Sequence, residues 1–455
     1  MKHNLKLTFH GGAGTVTGSN FLLENEDKKI LVDCGLVQGE AYCNDCNEDP
    51  FPYDPKSVDV LIVTHAHIDH IGRIPRLVRE GFNGVIYGTP ATKELAKISY
   101  DDSLKILAYE AEKKGKKPLY EAQDVQKTLS LWETVSYHSP KDIGGDFVFT
   151  YKDAGHILGS AMVEIQYHQK NIVFTGDLGN SPSPLLKDTE VIDDADYLIM
   201  ESVYGDKNHE PKEERTDKLR SVIEKTISQG GVLMIPAFSI ERTQVLLYEI
   251  NNLVEEKKIP SIPVFLDSPF AIKATEVYKR YNKNFKGSIQ DEIKSGDDIF
   301  DFPQLQFTLT REESKHINNV PAPKIIIAGS GMSHGGRIMH HERKYLSDPK
   351  NTLLLAGYQS AGSLGRILQD GAKKVTIFNT TVPVKAGVVT LRSYSAHKDS
   401  DNLIEFVSHT AEKVKKVFVV MGETKASLFL VQRLRDYLGV DAIAPQQGES
   451  VVLEI

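Results

Sequence analysis

Residues 65–70 read His-Ala-His-Ile-Asp-His, four metal-ligating side chains within six positions. Neutral imidazoles and a carboxylate are the donors that zinc takes, and manganese tolerates the same set. In an extended chain alternate side chains share a face, so His65, His67 and Asp69 point one way and a following turn brings in His70. One or two ions suit such a cluster. Two further candidates stand alone: His156 in DAGHILGSA, flanked by glycines, and Asp177 in NIVFTGDLGN, just after an apolar run. Alone, each reads as an ordinary structural histidine or turn aspartate; beside the first cluster they extend a ligand set. Asp33, in LVDCG, also ends an apolar run and is placed to orient a ligand from behind.

These residues need a scaffold that brings strand ends together. VDVLIV, at 58–63, has the length and β-branched content of a buried strand, and IGRIPRLVREG has helical spacing with a stop at Gly81. The first 200 residues are rich in such strands, among them SNFLLEN, KKILVDCG, GVIYGTP, DFVFTYK, AMVEIQYH and DYLIMES. KELAKISYDDSLKILAYEAEKK and AQDVQKTLSLWETV read as helices between them. From about residue 230 strand and helix alternate, as in GVLMIPAF with ERTQVLLYEINNLVEE, which predicts a parallel sheet wrapped by helices. PAFSIER, DSPFAIK, AGSGMSHGGR and AGYQSAGSLGR all follow strands at their carboxyl ends, where open parallel sheets bind ligands. Two of these loops place glycines before a helix, a setting that serves a tight turn or an anion.

The chain has 455 residues, 40% hydrophobic and 25% charged, enough for two or more domains. No run reaches transmembrane length and the N-terminus lacks a signal-peptide core, so the expectation is a cytoplasmic protein without membrane contact. A net charge of −8 argues against indiscriminate nucleic-acid binding, though not against a local basic channel. Cys43 and Cys46 form a CNDC pair with no second pair to complete a zinc site, so an ordinary loop is expected there.

HAHIDH, AGHILGS and TGDLG together resemble the metallo-β-lactamase superfamily. IMESVYGDKNH, IPAFSIERTQ, DSPFAIKATEVY, AGSGMSHGGR, AGYQSAGSLGRIL and SYSAHKD resemble, in order and spacing, its β-CASP nuclease branch, over nearly the whole chain. The resemblance implies an α/β protein: a metallo-β-lactamase αββα sandwich with an inserted β-CASP domain. It sets the sandwich at 1–202 and 376–455 and the insert at 203–375. Carried over by motif, His65, His67 and His156 hold one metal, Asp69, His70 and His397 the other, and Asp177 bridges them. Glu201, in MESVYG, matches the acidic residue of the first β-CASP motif and joins Asp69 and His397 as a catalytic candidate.

The implied activity is that of a metal-dependent phosphodiester hydrolase with two zinc ions per chain, a ribonuclease cutting single-stranded RNA in a cleft between its domains. Two metals can hold a bridging hydroxide as nucleophile and steady both oxygens of an in-line displacement. Ser330, Ser333 and Arg337 are expected near one phosphate, Arg242 and Arg366 near others, with packing and helix capping the competing reading. The resemblance departs at one point: the ribonuclease members lead one to expect a histidine at the helix start after AGY, where this chain has Arg366 and Ile367. That leaves the leaving-group acid open, with His334, His340 and His341 nearby in sequence. Alternatives from the same residues are a DNA nuclease, a small-molecule metallo-hydrolase and a non-catalytic RNA-binding relative. A homodimer is the remaining partner to test.

Overall fold

The computed structural model describes residues 4–39, 46–360 and 362–455. Cys43 of the CNDC pair lies outside them. The chain divides into two compact units, Met1–Asn208 with His397–Ile455, and His209–Ala396.

The first unit is built on two seven-stranded sheets. One runs in the order Ser450–Glu454, Asn4–Gly11, Asn20–Glu24, Lys29–Val32, Val60–Ile62, Val85–Gly88, Trp132–Thr134. The other runs Ala442–Ile443, Lys416–Val419, Tyr197–Met200, Lys170–Phe174, Ala161–Tyr167, Phe147–Asp153, Lys141–Gly144. Their facing sides share one core, to which Phe9, Phe21, Leu23 and Ile62 contribute from the first sheet and Phe149, Val163, Phe174 and Phe418 from the second. Leu22, Leu31 and Leu61 alternate with those residues and are also buried, on the sheet's other face. Burial on both faces explains why these strands read as unbroken apolar runs. Helices cover the outer sides: Leu403, Phe406, Leu430 and Leu434, from Ser400–Ser408 and Thr424–Leu438, pack on the second sheet. This is the expected αββα sandwich.

The long helix Pro90–Lys114 begins where the sequence supplies a cap, Thr89 accepting from Thr92 N–H, and stops at Gly115 in the left-handed conformation. The next segment differs from expectation. The helix Ala122–Ser130 ends early and Trp132–Thr134 pairs with Ile86–Gly88 as an edge strand, because Trp132 is buried there.

The second unit holds a six-stranded sheet in the order Leu305–Phe307, Val264–Leu266, Lys324–Ala328, Val232–Pro236, Thr352–Ala356, Gly387–Leu391, with every pair parallel. A separate hairpin, Lys374–Ile377 with Thr380–Pro383, lies in the same unit. The sequence reading returns the chain to the first unit at 376, but Gly387–Leu391 is hydrogen-bonded to Thr352–Ala356, so the return comes at His397. Among the described residues no helix is long and apolar enough to cross a membrane.

Candidate metal centre

Four strands of the first unit end at one place. Asp33 follows Lys29–Val32, Thr64 and His65 follow Val60–Ile62, Asp177 follows Lys170–Phe174, and Glu201 follows Tyr197–Met200. The extended run expected from His65 to Asp69 is interrupted. His67 is still extended, with φ −69° and ψ 146°, but Ile68–Ile71 is a helical turn, and the His67 carbonyl accepts from His70 N–H at 2.9 Å. Asp69 therefore leaves the face shared by His65 and His67. The turn is pinned from outside by Ser19 N–H donating to the Asp69 carbonyl at 2.9 Å and Cys34 N–H donating to that of His70 at 2.8 Å. Gly35 makes this close approach possible, since a β-carbon there would lie 1.5 Å from the Asp69 carbonyl oxygen.

His156 arrives on the loop between Phe147–Asp153 and Ala161–Tyr167, its N–H donating to Ser160 Oγ at 3.0 Å. His397 is tied in by the backbone of its neighbour, Lys398 N–H donating to the Leu178 carbonyl at 2.9 Å.

The first grouping is His65, His67, His156 and Asp177. His67 Nδ1 lies 3.1 Å from His65 Nε2 and 3.2 Å from His156 Nε2, while Asp177 Oδ2 is 3.4 Å and 3.5 Å from the same two nitrogens. A tetrahedral ion with zinc-like bond lengths separates its donors by about 3.3 Å, so the set fits one. Burial lowers the pKa of all three histidines, most for His67 and His156, which favours the neutral form that ligates.

The second grouping is Asp177, Glu201 and His397. His397 Nδ1 is 3.2 Å from Glu201 Oε1 and 3.9 Å from Asp177 Oδ2, and Glu201 also accepts from Leu178 N–H at 2.6 Å. Burial opposes protonation of His397, but Glu201 outweighs it and pushes the imidazole up to about 9. The resemblance pairs His397 with Asp69 and His70; the structure groups it with Glu201 and Asp177.

His70 stands between the groupings. Its Nδ1 is 2.6 Å from Asp33 Oδ2 and its Nε2 is 3.4 Å from Asp177 Oδ1 and 3.9 Å from Asp69 Oδ2. His70 Nε2 and Asp177 Oδ1 are buried with no hydrogen-bond partner, which a cation would remedy. Burial works against a charged His70, yet Asp177 and Asp33 together raise its pKa well above the usual value. Burial raises Asp69, and burial is overcome at Asp177 by His70 and His65, which hold that carboxyl well below its usual range.

Comparison with known proteins fits this geometry. Residues 13–225 match the metallo-β-lactamase superfamily, 243–368 the Beta-Casp domain and 381–445 the Zn-dependent metallo-hydrolase RNA specificity domain. Ribonuclease TTHA0252 of Thermus thermophilus is 35% identical over 98% of this chain and 100% of its own length. The chain belongs to the β-CASP family of the metallo-β-lactamase superfamily. That superfamily is metal-dependent. An RNase J-like protein of Methanocaldococcus jannaschii is 33% identical over 97% of this chain and 98% of its own. Transcription termination factor FttA of Methanosarcina mazei is 31% identical over 99% of this chain and 72% of its own. A crystal structure of a protein of unknown function from Enterococcus faecalis shares the fold, with TM-score 0.56 at 13% identity, covering 99% of this chain and 100% of that one.

In the β-CASP part, Arg337, Ser333 and Arg366 of the expected phosphate contacts are engaged with neighbouring groups. Arg337 donates from Nη1 to Asp267 Oδ1 at 2.7 Å and to the Thr308 carbonyl, and from Nη2 to the Leu309 carbonyl. Ser333 Oγ donates to Glu342 Oε1 at 2.5 Å. Arg366 is exposed and its Nε lies 3.0 Å from Asp370. Arg242 is buried, with its guanidinium carbon 5.8 Å from the Tyr394 ring centroid. Ser330 Oγ is buried without a hydrogen-bond partner. Of the three nearby histidines, His341 is buried against Asp267 at 2.7 Å, while His334 and His340 are exposed.

Two supporting residues escaped the sequence reading. Ser19 Oγ donates to Asp33 Oδ2 at 3.0 Å, and Thr64 donates to Asp33 Oδ1 from its N–H at 2.9 Å while its Oγ1 lies 3.0 Å from His65 Nδ1. The only signal for Thr64 was its place directly before the histidine cluster.

Proposed function

We propose that this protein is a metal-dependent ribonuclease acting on single-stranded RNA with two zinc ions per chain. The observation that carries the reading is the convergence of His65, His67, His156 and Asp177 at the spacing of a tetrahedral site. The names of the relatives, with ribonuclease among them, and the match to an RNA specificity domain at 381–445 support RNA as the polymer.

His65, His67, His156 and Asp177 would hold the first ion; His70 and Asp69 would hold a second beside Asp177, on the side that His397 and Glu201 face. Such ions, when bound, supply Lewis-acid charge to the phosphodiester and its attacking water. The chain does the rest. Asp33 fixes the His70 ring through Nδ1, so that Nε2 faces Asp177. Asp69 orients the water and takes its proton. Glu201 retains the proton on His397 Nδ1 and keeps that imidazole directed at the site.

The test is cleavage of matched end-labelled single-stranded RNA and DNA by purified protein with zinc or manganese, beside His67→Ala and Asp69→Ala. RNA cleavage that both variants lose is the expected result. Cutting of DNA alone moves the chain to a DNA nuclease, and two bound metals with neither polymer cut would sink the nuclease reading.

A further inference from the structure

The hairpin Lys374–Ile377 with Thr380–Pro383 turns through Phe378 and Asn379, both at positive φ, 48° and 59°. Two-residue turns of this hand favour asparagine and glycine, and a bulky residue gains nothing from the backbone there. Phe378 nevertheless occupies the tip, and its side chain is 44% exposed rather than packed into the core of its unit. Its ring is backed by His340, with centroids 4.6 Å apart and planes at 34°, and the Arg343 guanidinium carbon lies 5.8 Å from its centroid.

The surroundings are basic in a chain whose net charge is −8. Residues 371–390 contain Lys373, Lys374 and Lys385, all exposed, and no aspartate or glutamate. Arg343 and Lys344 are exposed on the adjoining helix Ile338–Tyr345. That helix and the hairpin are tied, since the Leu346 carbonyl accepts from Lys385 N–H at 2.8 Å and Ala386 N–H at 2.9 Å. The one carboxylate of the helix, Glu342, is buried and engaged with Ser333. A presented aromatic ring with Arg343 beside it and exposed lysines on the same segment suits a ligand with a flat π-face and a phosphate on each repeat.

We infer that Phe378, backed by His340 and Arg343, is a base-stacking platform for single-stranded RNA on the second unit. The inference rests on the ribonuclease reading and adds a subsite to it. A nucleobase stacks on the exposed part of the Phe378 ring while Arg343, Lys374 and Lys385 meet the flanking phosphates. Stacking tolerates every base, so the platform grips the strand without selecting sequence.

The test is fluorescence anisotropy with the zinc-loaded full chain and a short phosphorothioate-linked oligouridine RNA, which resists cleavage. Phe378→Ala weakens binding by about tenfold, as loss of one stacked base does, while Phe378→Trp binds as the wild type and Phe378→Leu as the alanine variant. The same strand with an abasic site at each position binds wild type and Phe378→Ala equally, and hydrolysis of a small phosphodiester is unchanged. Equal oligouridine affinity for wild type and Phe378→Ala overturns the platform and leaves the ribonuclease reading standing. So does an equal loss on the abasic strand, or a change of oligomeric state at unchanged RNA affinity, which would make Phe378 a protein contact. If the wild type neither binds nor cuts RNA, the ribonuclease reading falls and takes the platform with it.

Discussion

Asp177 in the first unit and Asp267 in the second both follow a buried strand, and both face histidine. Asp267 is closed. Its Oδ1 accepts from Thr308 and Arg337 and its Oδ2 from Ser314 and His341, at 2.6 to 2.7 Å, and burial is outweighed so that the carboxyl is held at about 2. Asp177 is open. Its nearest side-chain nitrogens stand at 3.4 to 3.5 Å, and Oδ1 has no hydrogen bond at all. The same residue types thus make a finished structural knot in one unit and an unfinished donor set in the other. What separates a ligand site from a core network is the unsatisfied valence, not the composition.

The largest test of that contrast is Asp177→Asn. On the ribonuclease proposal RNA cleavage should drop on the order of a thousandfold, and bound metal, measured by elemental analysis, should fall, while the metal-free protein keeps its melting temperature. A metal-free Asp177→Asn protein that melts far below the wild type would break the comparison. Asp267→Ala should do the reverse: about 3–5 kcal/mol of stability lost in denaturant unfolding, because Arg337 and His341 lose their partner, with metal content per folded chain unchanged. Next comes Asp33→Asn, which leaves every proposed ligand in place but loosens His70; metal affinity by competition with a chelator should weaken about 10–100-fold.

The smallest effect concerns Glu342, which burial pushes up to about 8 from an ordinary 4.5. Between those values the folded protein holds a proton that the unfolded chain releases, so stability falls as pH rises through that window. Glu342→Gln should flatten this slope and raise the alkaline melting temperature by roughly 2–4 °C, read from melting curves across pH. A slope as steep in the variant as in the wild type would assign the pH dependence elsewhere.

Local patterns carried much of this to the page. HAHIDH and Asp177 were legible because each directly follows an apolar run, His156 because glycines flank it, and the single strands because they read as apolar runs; their arrangement in two sheets came from the family resemblance. Longer-range choices were not. Nothing near Asp69 announces that Ile68–Ile71 turns helical, since Ser19 and Cys34 fix it from another segment. Pairing of His397 with Glu201 joins residues 196 positions apart. Arg337 and Ser333 look free in a glycine-rich loop, but Asp267 and Glu342 claim them from other elements. The reach of a side chain is local; its partner is decided by the fold.

The strand Ser450–Glu454 pairs with Asn4–Gly11, and His397 follows the whole second unit in the chain. During synthesis, therefore, the inserted sheet has its last strand once Leu391 has emerged, while the host sandwich still lacks an edge of each of its two sheets and one histidine of its centre. The guest can fold before its host, reversing the amino-to-carboxyl order in which tandem domains form. A nascent chain stalled at that length would carry a complete β-CASP sheet beside a sandwich whose metal centre still lacks His397.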